Sequence, residues 1–335
     1  MKISLHPYQL QFKYPFRIAH GLRTHTDVVY VKLQHEGFTA WGEAALPPYL
    51  SETQKSVIDF LSSFSANLTG SGLNTWVEKL NNDTSPNVAA EAALDMALWS
   101  LQAQIEGKTI GALLGIQPAG YPVGTYTLGV SSFNEMKLKI AEAESNGFQF
   151  FKLKLNGEND GQVIKSYKQL SAMPFMVDVN QGWKNLEEAT RKVGWLATEG
   201  CLAIEQPLPV SMLDTMPALK KNCPLPLYAD ENCWNIADLE KLQDGFDGIN
   251  MKLMKCGGIS KALPLINKAR EIGFKVLIGC MSESSVGCTA ASYLTPLATY
   301  ADLDGPYLIV NDPFTGMKVQ GGHIKPHTLQ QFKAV

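Results

Sequence analysis

FFKLKL at 150–155, FMVDVN at 175–180, LAIEQP at 202–207, LYAD at 227–230 and INMKL at 249–253 are the stretches that decide the fold. Each is an apolar run of strand length that ends at charge: Lys152 and Lys154, then Asp178, Glu205, Asp230 and Lys252. From Lys154 onward these charges recur at intervals of 22 to 27 residues. Such an interval holds one strand, one helix and two loops, and a succession of these units makes a parallel sheet. Strands are predicted at 123–128, 148–155, 175–179, 202–205, 227–230, 248–253, 276–280 and 300–303. Helical patterns lie between them, as at 134–146, 186–199, 237–243 and 261–272. Seven or eight units in a row predict a closed barrel, not an open sheet.

The residues before this series read differently. Segments 3–12, 27–35 and 38–43 alternate apolar with polar residues, and Glu36-Gly37 supplies a turn between the last two, which predicts an antiparallel meander. Ser51, Thr53 and Gln54 open a helix. Ser85-Pro86 opens another, with Ser as N-cap and Pro at the first helical position, running through Ala89, Ala93, Ala97 and Leu101 to Gly107. The expected fold class is α/β: a modified (β/α)8 barrel over 119–305 that carries the active site, and an α+β capping domain over 1–118. A tail over 306–335, with too little pattern for a domain, is expected to return to the capping domain.

Composition bounds the function. The 335 residues are 45% hydrophobic, enough for a large core, and the formal net charge is −3 without a Lys/Arg run. A nucleic-acid partner is not expected. The cysteines at 201, 223, 233, 256, 280 and 288 form no CxxC pair and no regular framework, so buried free thiols in a reducing compartment are expected. No apolar signal segment and no membrane-length apolar run is present, which predicts a cytoplasmic protein with no membrane association.

In a (β/α)8 barrel the C-terminal ends of all strands meet at one face, where active sites lie. One charge at a strand end is usually a solvated loop residue; five successive strands repeating the placement predict a shared site. Asp178, Glu205 and Asp230 on adjacent strands would repel each other unless a cation lay between them. Oxygen-only donors favour Mg²⁺ or Ca²⁺ over zinc. The alternative is a salt-bridge network between these carboxylates and the lysines, but that does not explain why the lysines flank the carboxylates on both sides. Strands two and six lie on opposite sides of a barrel mouth, which would put Lys154 and Lys252 on opposite faces of a substrate. A lysine near a cation and out of bulk water becomes a usable base. A metal on the substrate carboxylate stabilises the enediolate formed when the adjacent carbon loses its proton. One base per face is what inversion at that carbon requires.

The KxK at 152–154, the DxN at 178–180, EQP at 205–207, the pair Asp230-Glu231 and Lys252 within NMKLMKCGGIS resemble the muconate-lactonizing subgroup of the enolase superfamily across nearly the whole chain. The resemblance implies one Mg²⁺ per subunit held by Asp178, Glu205 and Asp230, with Lys154 and Lys252 as acid/base catalysts. It places Lys152 against the substrate carboxylate, easing deprotonation of Lys154. Asn180, Glu231 and Glu283 would support the ligands from behind. Dipeptide epimerases of this group carry a DxD at the eighth strand, matched here by Asp302 and Asp304, which binds the substrate ammonium; two carboxylates suit a cationic amine and would repel the anionic substrates of cycloisomerases. Thr127, Cys280 and Ser282 match residues that line the dipeptide. A lid loop at 19–26, with His20, Gly21, Arg23 and His25, would close the mouth, and an arginine at such a place pairs with glutamate in Ala-Glu epimerases, a role open to Arg23. Apolar lid residues are expected at Phe16, Ile18, Leu22, Leu46, Tyr49 and Leu50.

The resulting expectation is a dipeptide epimerase acting on Ala-Xaa, with Xaa apolar or broad. L-Ala-D/L-Glu specificity stands close behind, and cycloisomerase or o-succinylbenzoate synthase activity further off. Sugar-acid dehydration is disfavoured because GCMSES offers no histidine near the seventh strand. A non-catalytic metal-binding barrel is disfavoured because no ligand or flanking lysine is lost. The expected partner is a small dipeptide, and a homo-oligomer is compatible with every feature above.

Overall fold

The computed structural model describes residues 1–18, 21–48, 50–66, 73–82 and 87–335. The chain opens with a three-stranded antiparallel sheet, β1 (Lys2–Ile18), β2 (Gly21–His35) and β3 (Phe38–Leu46). Glu36 and Gly37 make the β2–β3 turn at φ 50° and 86°, the positive values that a two-residue hairpin turn matching the strand twist requires. Helices α1 (Gln54–Ala66), α2 (Leu73–Asn81) and α3 (Val88–Ile105) follow. Helix α3 is buried on nearly every side, its alanines against the sheet. A Cβ on Gly42 of β3 would lie 1.8 Å from the Ala93 carbonyl oxygen, so sheet and helix backbone touch there and only glycine fits. The Ser85-Pro86 cap and residues Ala19, His20 and Tyr49 lie outside the described residues.

Eight parallel strands follow: β4 (Val123–Leu128), β5 (Phe150–Lys154), β6 (Phe175–Asp178), β7 (Ile204–Glu205), β8 (Leu227–Ala229), β9 (Gly248–Lys252), β10 (Lys275–Gly279) and β11 (Tyr300–Asp302). They pair in chain order, and β11 pairs back onto β4, closing the barrel. Period-2 alternation sorts each strand. Phe151, Leu153, Val177, Ile204, Leu227, Ile249 and Ile278 join the main core between barrel and helices. Their alternates Phe150, Met176, Ala203, Tyr228 and Leu277 form a separate apolar layer, with Val123 and Tyr300 packed on it. That layer plugs the barrel and floors the polar site above it. Among the described residues no helix is long and apolar enough to cross a membrane.

The tail divides between the two parts. Phe314 packs edge-on against Tyr30 and Trp41 of the first sheet, at 5.2 and 5.1 Å between ring centroids. Beyond it, the hairpin of β13 (Lys318–Gln320) and β14 (His323–Lys325), which follows the short β12 (Phe314–Thr315), adds to β4 through His323 opposite Val123. Gly124 permits this, because a Cβ there would meet Ile324 at 2.7 Å.

The first sheet and α3 grip loops at the barrel mouth. Asp95 of α3 accepts from Ser260 N at 3.1 Å and Ser260 Oγ at 2.5 Å, beyond β9. Glu43 of β3, fully buried, accepts from Ser284 N at 2.9 Å, Ser284 Oγ at 2.7 Å and Gly287 N at 3.0 Å, beyond β10. Burial, and then the charge of Glu283, push the Glu43 carboxyl up to about 8 from an ordinary 4.5. The folded protein therefore keeps a proton that the unfolded chain releases, and Glu43 lowers stability progressively as pH rises from about 4.5 to about 8. Glu43→Gln should flatten the fall of the melting temperature across that window; an unchanged pH slope would contradict the assignment.

Candidate active site

The inward-facing ends of β5 to β9 carry the chemistry. Asp178 and Glu205 are the last residues of β6 and β7 and stand opposite each other in register, while Asp230 follows the last residue of β8. All three are buried, and one oxygen from each lies within 4.8 Å of the others. Lys154 and Lys252 end the strands on either side. Lys154 Nζ donates to Asp178 Oδ2 at 2.6 Å, and Lys252 Nζ to Asp230 Oδ2 at 2.7 Å. The two ammonium groups thus flank the triad from opposite ends.

Lys152, two residues before Lys154 and so on the same face of β5, is 1% exposed. Its Nζ lies 2.7 Å from Asp302 Oδ2, 2.8 Å from Glu205 Oε2 and 3.3 Å from Asp178 Oδ2. Burial alone would lower its pKa, but Asp302, Glu205 and Asp178 together hold it well above the usual value. Burial likewise opposes ionisation of Asp178 and Asp230, yet the lysines hold both carboxyls well below their ordinary range. Glu205 goes the other way: burial and repulsion from Asp178 raise it. Although Lys152 is close, Glu205 Oε2 accepts no well-aligned hydrogen bond, and Glu231 Oε2 and Asn180 Oδ1 are also buried without a partner. Oxygen-only donors, an ionisation cost on the central carboxylate and orphaned acceptors fit a hard divalent cation.

Strained loops set the ligands. Asn180, Gln181 and Gln206, just past β6 and β7, have φ of 46°, 64° and 34°; positive φ in non-glycine residues costs about 1–3 kcal/mol each and gathers at functional sites. Asn180 N donates to Asp178 Oδ1 at 2.9 Å. Gln206 Oε1 accepts from Asp230 N at 3.1 Å and Asn232 N at 3.3 Å, bracing the loop that carries Asp230.

A cavity of ≈ 150 Å³ lies over these groups, and Thr127, Lys152, Lys154, Asn180, Asp230, Glu231, Lys252, Cys280, Ser282, Asp302, Asp304 and Arg23 all line it. Asp302 accepts from Lys152 and, at 2.5 Å, from Thr125 Oγ1; burial opposes its charge but Lys152 holds its pKa down. Asp304 Oδ2 accepts from Thr127 N at 2.5 Å, and burial plus the charge of Asp302 push it up to about 7. Burial lifts Glu231 and Glu283 to about 7 as well. Glu283 does not line the cavity; its Oε1 takes Met281 N at 2.7 Å and shapes the loop after β10.

The cap side departs from expectation. The predicted lid loop is the end of a hairpin: Gly21 to Thr26 belong to β2, with Arg23 opposite Phe16. The β1–β2 register jumps between Gln11 and Phe16, so residues 12–15 bulge out of β1, and a bulge re-aims side chains. Phe12 and Tyr14 of this bulge line the cavity with Pro47, Met281, Leu308 and Ile309, while Leu46 and Leu50 are buried in the core instead. Lys13 N bonds the Leu308 carbonyl at 2.8 Å, seating the bulge on the barrel. The sequence reading missed these residues and Lys139, whose ammonium lies 5.0 Å from the Tyr14 ring and 2.6 Å from Glu135. The strand predicted from sequence stops at residue 12, whereas β1 runs on through Tyr14-Pro15 to Ile18.

A capped barrel with a carboxylate triad between two strand-end lysines defines a class of metal-assisted enzymes that work on carbon acids. The family model described as "Mandelate racemase / muconate lactonizing enzyme, N-terminal domain" matches residues 2–115, and "Enolase C-terminal domain-like" matches 135–326. The chain belongs to the enolase superfamily. It is 36% identical over 97% of its length to an L-Ala-D/L-Glu epimerase of Bacteroides thetaiotaomicron, covering 85% of that protein. It is 35% identical to a hydrophobic dipeptide epimerase of Roseobacter litoralis, covering 97% and 96% of the two chains. The crystal structure of a dipeptide epimerase from Methylococcus capsulatus with Mg and L-Arg-D-Lys superposes with a TM-score of 0.89 at 27% identity, over 98% of each chain.

Removing Lys152 leaves its carboxylates buried and uncompensated, so Lys152→Met should cost about 3–5 kcal/mol in chelator. Mg²⁺ should restore more stability to this variant than to the parent, as read by denaturant titration with and without the ion.

Proposed function

We propose that this protein is a Mg²⁺-dependent dipeptide epimerase that inverts the α-carbon of the C-terminal residue of Ala-Xaa. The observation that carries the proposal is the placement of Lys154 and Lys252 at opposite ends of one carboxylate triad. Asp178, Glu205 and Asp230 are the residues that would hold the ion. Bound there, Mg²⁺ supplies electrostatic stabilisation to the negative charge that builds on the substrate carboxylate as the adjacent C–H ionises. Lys154 removes the proton on one face and Lys252 returns one on the other; the roles exchange for the opposite epimer. Lys152 sits between Glu205 and Asp302 and lines the cavity, where its ammonium would meet the substrate carboxylate. Asp302 and Asp304 receive the N-terminal ammonium, and that cation favours the ionised form of Asp304. Thr127, Cys280 and Ser282 line the same cavity. The relatives named dipeptide epimerases support this reading, and the carboxylates at the ammonium end speak against an anionic cycloisomerase substrate.

Phe12, Tyr14, Leu308 and Ile309 offer an apolar or broad pocket for Xaa. A second reading, with an acidic Xaa, is favoured by Arg23 and Lys139 on the same wall. The main test is incubation with Mg²⁺ and dipeptide pools in D₂O, read by mass spectrometry. One deuteron should enter with inversion at the C-terminal residue, and EDTA or Lys154→Ala should abolish inversion. No uptake from any pool, with Mg²⁺ shown to bind, would redirect the search to cycloisomerase and synthase substrates. If Xaa is acidic, Arg23→Gln should lower kcat/KM for L-Ala-L-Glu by about 10- to 100-fold, the range of a charge-assisted hydrogen bond, and leave L-Ala-L-Leu nearly unchanged. Equal effects on both substrates would remove the acidic reading.

A further inference from the structure

Lys255 lies three residues beyond Lys252 and has no part in the roles above. It stands on a single helical turn, Leu253–Cys256, directly after β9, and Gly257 ends that turn at φ 90°. The turn carries the side chain back under the barrel mouth, where it is 4% exposed. Its ammonium has three donors and three close acceptors: Asp230 Oδ1 at 2.6 Å, the Asp230 carbonyl at 2.6 Å and the Asn250 carbonyl at 2.8 Å. Asn250, fully buried on β9, in turn donates from Nδ2 to Glu205 Oε1 at 2.9 Å. Gly279 leaves the room for it, since a Cβ there would lie 2.4 Å from Asn250 Oδ1.

Asp230 needs such a brace more than its fellows. Asp178 and Glu205 are fixed by the strand ladder, whereas Asp230 follows the end of β8, outside the paired residues. Lys255 ties both its backbone and its carboxylate to the end of β9. The other carboxylate oxygen of Asp230 receives Lys252, so fixing Asp230 also fixes the direction of the second base.

We infer that Lys255 is a positioning residue: it holds Asp230 in ligating geometry and, through Asp230, aims Lys252 at the substrate. The inference rests on the reading of the triad as a Mg²⁺ site. Partners behind a metal ligand typically contribute 10- to 100-fold in metal affinity. The test titrates Mg²⁺ calorimetrically into the parent, Lys255→Met and Lys255→Arg, and measures deuterium uptake from each epimer of one dipeptide. Lys255→Met should raise the Mg²⁺ Kd by about 10- to 100-fold. It should also slow uptake more from the epimer whose exchange survives in Lys154→Ala, the one deprotonated by Lys252. Lys255→Arg, which keeps the charge but not the three-acceptor fit, should fall between. A folded Lys255→Met protein with parental Mg²⁺ affinity and an unchanged ratio between epimers overturns the inference. If that variant does not fold, parental affinity and ratio in Lys255→Arg overturn it. Absence of Mg²⁺ binding by the parent protein would instead refute the underlying reading of the triad.

Discussion

Asp178, Glu205 and Asp230 point into one barrel from three neighbouring strands, with oxygens within 4.8 Å of one another. At that separation and an effective dielectric of 20, each ionised pair repels by roughly 3–4 kcal/mol. The barrel holds them because each lies against at least one buried lysine ammonium. Lys154 answers Asp178, Lys252 and Lys255 answer Asp230, and Lys152 lies against Glu205, Asp178 and Asp302. The match is incomplete at Glu205, whose carboxyl is pushed up by burial and by Asp178. A divalent ion at the triad would remove that remaining cost and free the outer lysines from their carboxylates for proton transfer. The same electrostatic problem thus explains the placement of the lysines and the need for a metal.

The capping part supports the site from outside the barrel. Glu43 holds the loop after β10, and Asp95 the loop after β9. The bulge at 12–15 lowers Phe12 and Tyr14 onto the cavity. In the proposed function the proton transfers rest on strand ends, whereas the pocket for the substrate side chain is formed by Phe12 and Tyr14 of the hairpin with Leu308 and Ile309 of the tail. That separation is consistent with a family in which relatives named for different dipeptides share one fold.

The barrel and the reactive groups were legible because strand alternation and the regular spacing of charges are both written in the chain. Lys152, Lys154, Asp178, Glu205, Asp230 and Lys252 meet at one mouth, as their positions at strand ends required. What escaped the sequence depends on local departures from regularity. A four-residue bulge re-aims Phe12 and Tyr14, a single helical turn folds Lys255 back beneath Asp230, and an apolar Leu46 serves the core instead of the lid. Lys139 escaped because a lysine four residues after Glu135 on a helix reads as a surface ion pair. Each of these placements is set by tertiary contact, and periodicity does not report it.

The most direct test of the account is a crystal structure grown with Mg²⁺ and a dipeptide that undergoes exchange. The account predicts the ion bound by Asp178, Glu205 and Asp230, the C-terminal α-carbon between the Lys154 and Lys252 ammonium groups, and the substrate ammonium beside Asp302 and Asp304. An ion held elsewhere, or both lysines on the same face of that carbon, would contradict it.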